Sequence, residues 1–140
     1  MFYFDDIESL NQEINLPSLK KYNVNIFVKR EDLIHPIISG NKFRKLKYNI
    51  EKAIKDKKDE IISFGGAYSN HLLALAFIGK WSNRKTIGII RGEELKQKKL
   101  NSTLKRCKDF GMKFIFISRN EYKKRNEIKY INSLKVKFRN

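Results

Sequence analysis

The stretch EIISFGGAYSNHLLALAFIGKW, residues 60–81, decides the fold. Its opening residues, 60–64, form an apolar run bounded by a charged loop on one side and glycines on the other, the mark of a short buried strand. Gly65 and Gly66 break the run. Ser69 or Asn70 then caps a helix through Trp81 that is apolar nearly all round, and a helix of that kind belongs in a core. A strand leading through a glycine turn directly into a buried helix is the first half of a βαβ unit.

Downstream the alternation repeats. Residues 86–90 form the next strand, stopped at Arg91-Gly92-Glu93. A helix runs from about Lys98 with Leu100, Leu104 and Cys107 on one side, and it closes at Gly111 in a left-handed cap position. Residues 113–118 are another buried strand. From Glu121 onward a helical pattern runs through Ile128, Ile131 and Leu134. Upstream, residues 24–28 form a short strand that Glu31, Asp32 and the His35-Pro36 pair end, since a residue before proline is pushed out of the helical region. Asn41 is the expected N-cap of a helix whose apolar positions are Phe43, Leu46, Ile50, Ala53 and Ile54. Strand and helix alternating at this spacing predict an α/β fold, a parallel sheet with flanking helices and right-handed crossovers. The chain stops at Lys137-Phe138-Arg139-Asn140 with no strand after its last helix, so the sheet is expected to be incomplete.

A chain of 140 residues, 41% hydrophobic, suffices for one cooperative core. No apolar run reaches the length of a membrane span, and the opening MFYFDDIESL carries acids where a secretory signal would be basic, so a cytoplasmic location is expected. The single cysteine, Cys107, excludes an internal disulfide framework, and no metal-ligand cluster is present. The net charge of +16 raises nucleic-acid binding as an alternative. Its lysines are spread over helix ends and polar faces (Lys20/Lys21, Lys57/Lys58, Lys98/Lys99, Lys123/Lys124) rather than gathered into a stripe, and no nucleic-acid motif accompanies them, so that reading is disfavoured.

Two strings carry chemistry. In SGNKFRKL, residues 39–46, Lys42 lies just inside a helix start, where the macrodipole and the neighbours Arg44 and Lys45 disfavour an ammonium and suit an amine that must react with a carbonyl. On its own it is one lysine of a solvated face. In FGGAYSNH, residues 64–71, two glycines allow close approach of a ligand to backbone, ahead of a helix start that offers amide donors to an anion. A plain strand-to-helix turn with Ser69 as cap explains the same letters. Glu31, Asp32 and His35, in a loop at a strand end, read as ion pairing and turn capping in preference to the edge of a site, Cys107 as a small core residue rather than a nucleophile, and Trp81 as packing at a helix end.

The order and spacing of KREDL, SGNKFRKL, FGGAYSNH, IGIIRGEE, NSTL and the stretch from Gly111-Met112 to Ile117-Ser118-Arg119 resemble the N-terminal part of the pyridoxal-phosphate-dependent 1-aminocyclopropane-1-carboxylate deaminase / D-cysteine desulfhydrase family, over a match from about Leu16 to the C-terminus. The resemblance implies the tryptophan-synthase-β-like fold, fold type II among such enzymes. It implies that Lys42 carries the cofactor covalently and later acts as acid or base. Lys45 is implied as a contact to the cofactor phosphate, and Asn70 as the residue that holds the 3′ oxygen of the cofactor ring. Ser69 is implied in substrate binding and proton transfer. Gly66, Tyr68, Asn70 and His71 complete the turn that takes the substrate carboxylate, while Ala67 contributes backbone alone. The implied reaction is β-elimination or cyclopropane opening of a small amino acid to ammonia and a 2-oxo acid, with sulfide lost as well from D-cysteine.

The same resemblance divides the chain into residues 1–45, a segment of a large domain bearing the cofactor lysine, and residues 46–140, a small α/β domain incomplete at its C-terminal end. Members of the family are more than twice as long. A truncated member is expected, weak or inactive alone, and a family-like homodimer is expected only when the missing half is present. A non-catalytic interaction module on the same fold is the further alternative.

Overall fold

The computed structural model describes residues 8–138. The acidic start read as evidence against a signal, and the Arg139-Asn140 ending, lie in part or whole outside them. Of the described residues, those up to Asp56 form one compact unit and those from Lys57 on form a second.

In the first unit, β1 (Asn11–Ile14) and β2 (Ile26–Lys29) pair antiparallel, Gln12 opposite Val28 and Ile14 opposite Ile26. Sequence reading misses β1, because NQEI has neither alternation nor β-branched residues before its final Ile. A 3-10 turn, Pro17–Tyr22, joins the strands. A second one, Glu31–Leu33, follows β2 and precedes α1 (Asn41–Lys55). Helix α1 buries Phe43, Leu46 and Ile50, whereas Ile54 is exposed, so the apolar stripe is shorter than its periodicity suggests. The cap differs from expectation too. Gly40 takes the N-cap position at φ 60°, ψ −147°, a region open essentially to glycine, and Asn41 becomes the first helical residue.

The second unit is the expected α/β alternation. Strands β3 (Glu60–Gly65), β4 (Lys85–Arg91) and β5 (Lys113–Ile117) form a parallel sheet in the order β3-β4-β5, with Ile62 beside Ile87 and Ile89 beside Ile115. Helix α2 (Asn70–Trp81) buries Leu72, Leu75, Ile78 and both its alanines, and it packs beside α3 (Ser102–Asp109). β4 is buried from Thr86 to Ile90, while β3 and β5, at the edges, are half-buried.

Alternate β3 side chains meet different layers, as the two-residue period of a strand requires. Ser63 and Gly65 meet α2, where the Ser63 hydroxyl reaches His71. Phe64, on the opposite face, meets Tyr122 and Tyr130, with ring centroids 5.9 and 6.3 Å away.

The boundaries differ in two places. The third helix starts at Ser102 rather than near Lys98, because residues 92–98 are taken up by tight turns (Leu95 N–H to Gly92, Lys98 N–H to Leu95) and the Asn101 side chain caps at Leu104. It closes as read: Gly111 sits at φ 89°, with the Met112 amide on Cys107 and the Gly111 amide on Lys108, a Schellman close. The helical pattern after Glu121 is broken into α4 (Arg119–Lys123), a 3-10 turn, Lys124–Asn126, and α5 (Ile128–Lys137), since Glu127 is extended at φ −79°, ψ 125°. Ile128 is consequently exposed rather than part of a buried stripe. Among the described residues no helix is long and apolar enough to cross a membrane.

Candidate functional site

The glycine turn is built by close packing. A Cβ on Gly65 would lie 2.5 Å from Leu72 Cδ1 and 2.9 Å from Ser69 Oγ, so only glycine lets the strand end run this near the helix. Gly66 is different: a Cβ there would meet no atom within 4 Å. Its missing side chain leaves open space beside the turn. The backbone reverses over 66–69 through the Ser69 amide on the Gly66 carbonyl (3.1 Å), and Ser69 then caps α2 by accepting from the Leu72 amide at 3.3 Å. The cap occupies one lone pair of the hydroxyl, whose proton remains to be donated. Asn70, exposed, opens the helix where amides lack intrahelical acceptors.

Five of the expected residues, Gly66, Tyr68, Ser69, Asn70 and His71, thus share one turn and one helix start. Tyr68 stands out with its side chain exposed. His71 is anchored instead: its Nε2 and the Ser63 hydroxyl on β3 share a hydrogen bond of 2.9 Å. A cavity of about 200 Å³ adjoins the turn, lined by Ala67, Tyr68, Leu95, Lys98, Asn101 and Leu104.

Lys42 and Lys45 belong to the first unit, on the first turns of α1. Lys42 is half-buried and its Nζ donates to Asn41 Oδ1 at 2.8 Å, so the asparagine expected to cap the helix holds the lysine instead. Lys45 is exposed. The start of α1 is braced from below: the Glu31 carbonyl accepts from the Gly40 amide (2.7 Å), and the Glu31 carboxylate takes the Arg44 guanidinium (3.0 and 3.1 Å) and the Ser9 hydroxyl (2.8 Å). The hydrogen bonds from Arg44 and then Ser9 hold the Glu31 carboxyl below its usual range. Asp32 pairs with Arg30 at 2.7 Å, and His35 Nδ1 accepts from the amides of Ile37 and Ile38. Burial pushes the His35 ring toward its neutral form, which an accepting Nδ1 requires. The ion pairing and turn capping expected of these three residues are thus present.

Cys107 is fully buried, and burial pushes its thiol up to about 11, which fits a core residue and not a nucleophile. Trp81, at the end of α2, is partly exposed. No group of three or more His, Cys, Asp or Glu able to hold a metal exists among the described residues. Sequence reading passes over two polar residues that build the turn, Ser63 and Asn101. Asn101 is signalled by its place in the NSTL string and as a capping residue type ahead of Ser102-Thr103-Leu104, neither of which points to the turn, and Ser63 has no signal beyond being the one hydroxyl in an apolar strand.

The residues present fit pyridoxal phosphate in kind: an amine on a braced helix start, an exposed carboxamide at Asn70, and an open glycine face at the head of a helix whose leading amides suit an anion.

The class follows from the fold: an α/β unit of the fold type II architecture, with its glycine turn at the carboxyl end of a parallel strand. No protein-family model matches the chain. It is 36% identical over 109 residues to a Thermotoga maritima protein provisionally named a 1-aminocyclopropane-1-carboxylate deaminase, a match covering 78% of this chain and 34% of that one. It is 35% identical over 81 residues to the bifunctional mitochondrial D-cysteine desulfhydrase/1-aminocyclopropane-1-carboxylate deaminase of Arabidopsis thaliana, covering 58% and 20%. Among solved structures, an ACC deaminase homologue superposes with a TM-score of 0.65 at 26% identity over 82% of this chain and 34% of that one. A hydrogen sulfide-producing enzyme from Fusobacterium nucleatum superposes at 0.60 with 18% identity, over 95% and 40%. The chain is a partial member of the 1-aminocyclopropane-1-carboxylate deaminase / D-cysteine desulfhydrase family, and it spans about a third or less of the length of these two curated relatives.

Proposed function

We propose that the chain supplies the lysine-bearing helix start and the glycine turn of a pyridoxal-phosphate-dependent lyase that deaminates a small amino acid, 1-aminocyclopropane-1-carboxylate or D-cysteine, to ammonia and a 2-oxo acid. Pyridoxal phosphate, when bound, supplies the electron sink that makes bonds at the amino acid's α-carbon labile. The chain's residues supply positioning and protons. Lys42 provides the amine that bonds to the cofactor and, once released, holds or returns a proton at Nζ. Lys45 adds positive charge for the phosphate, and the Asn70 carboxamide bonds the ring's 3′ oxygen. Gly66, Tyr68, Asn70 and His71 form the turn for the substrate carboxylate, and Ser69 donates its remaining hydroxyl proton to the reacting substrate.

The observation that carries the reading is the open face at Gly66 directly ahead of a Ser69-capped buried helix, in a chain similar to relatives that bear this activity in their names. Because the chain spans so little of those relatives' length, we propose that it binds the cofactor weakly and turns over slowly by itself. Titration with pyridoxal phosphate tests this: the proposal expects a near-visible absorption band that Lys42→Ala abolishes, with little ammonia or sulfide released from either substrate. A band of equal strength in Lys42→Ala, arising from surface lysines, overturns the assignment.

A further inference from the structure

We infer that Asn101 is a positioning residue that sets the orientation of the central peptide of the glycine turn; the inference rests on reading that turn as the place where an anionic cofactor or substrate group is held. The turn over 66–69 closes with a single backbone hydrogen bond, from the Ser69 amide to the Gly66 carbonyl, so Ala67 and Tyr68 are its two central residues. In a turn of this kind the peptide between the central residues can lie with its carbonyl to either side, and the second arrangement demands positive φ at the third residue. Tyr68 is not at positive φ.

A side chain 34 residues away reinforces what Tyr68, as a non-glycine residue, already favours: Asn101 Nδ2 donates to the Ala67 carbonyl at 3.0 Å. The other end of the same carboxamide accepts the Leu104 amide at 2.8 Å as the cap of α3. The two partners fix which end is nitrogen, because a carbonyl needs a donor and an amide needs an acceptor. In a trans peptide the N–H points opposite to the C=O, so a carbonyl held toward Asn101 turns the Tyr68 N–H away from it. Asn101 therefore helps to fix where one backbone donor of the turn is presented, in addition to starting α3.

The two roles separate by substitution. Asn101→Asp keeps the acceptor for Leu104, and aspartate caps helices as well as asparagine does, but it cannot donate to Ala67. Asn101→Ser keeps a cap without adding charge and is too short to span the gap. In both variants we expect a thermal midpoint near that of the wild type, faster hydrogen exchange at Ser69, whose amide closes the turn, and affinity for pyridoxal phosphate lower by about tenfold, the scale of one lost charge-assisted hydrogen bond. Wild-type exchange and affinity in the serine variant overturn the inference, as does an affinity loss that only tracks lost stability. If the wild type binds no pyridoxal phosphate, the functional reading fails, and the exchange rate at Ser69 decides the role of Asn101 on its own. A Ser69 amide that exchanges at random-coil rates in the wild type contradicts it outright.

Discussion

Two adjacent glycines in the turn have opposite reasons for being glycine, and substitution separates them. In Gly65→Ala the new methyl is driven into Leu72, a fully buried side chain with no room to yield, so the variant is destabilised by about 1–3 kcal/mol, as overpacked cores are. Gly66→Ala meets nothing and stays within about 0.5 kcal/mol of the wild type. Urea unfolding checks both, and equal losses would contradict the packing account. Cys107 gives a second residue-scale expectation. Its folded pKa, about 11, lies above the 9.0 of a free thiol, so the neutral thiol's advantage is full below pH 9 and lost as pH climbs from 9 to 11, a difference of about 2 kcal/mol. Tyr130, raised to about 12 by burial and by its bond to Glu121, acts with the same sign from pH 10 upward. Stability measured between pH 8 and 11 should fall, and Cys107→Ala should flatten the slope; a rise over that range contradicts the burial of the thiol. At this scale the sequence was readable where a residue's neighbours in the chain decide its role, as at Ser69. It was opaque for Ser63 and Asn101, whose roles come from partners 8 and 34 positions away.

Helices α2, α3 and α4 owe their starts to side-chain caps from Ser69, Asn101 and Ser118, and these are separable contributions. Ser69→Ala should cost about 1 kcal/mol through the lost bond to the Leu72 amide, and Ser69→Asp should recover it; equal melting of alanine and aspartate variants would show that the cap is not what begins α2. Strand and helix identities in the second unit were legible because apolar runs bounded by glycine and charge admit few alternatives. Starts and breaks were less so. Gly40 displaced Asn41 as cap through a backbone conformation that the letters do not reveal, and Glu127 interrupted a helical pattern whose apolar spacing continued through it. Strand β1 was invisible because its order comes from pairing with β2 and not from its own polar residues.

At the scale of the whole molecule, the parallel sheet of the second unit sets a stability order that hydrogen exchange reads. Amides of β4, buried between two neighbours, should exchange slowest, and those of the flanking β3 and β5 faster; uniform protection over the three strands would contradict the order β3-β4-β5. The architecture was legible from the alternation alone, whereas the family came from the order of six short strings, which no composition or periodicity supplies. The central claim is that one lysine among many is the cofactor's. Reduction with borohydride in the presence of pyridoxal phosphate, followed by peptide mass mapping, tests it most directly. The account predicts the cofactor mass on the peptide containing Lys42 ahead of exposed lysines such as Lys98 and Lys99. Label spread over surface lysines with Lys42 unmodified would contradict it.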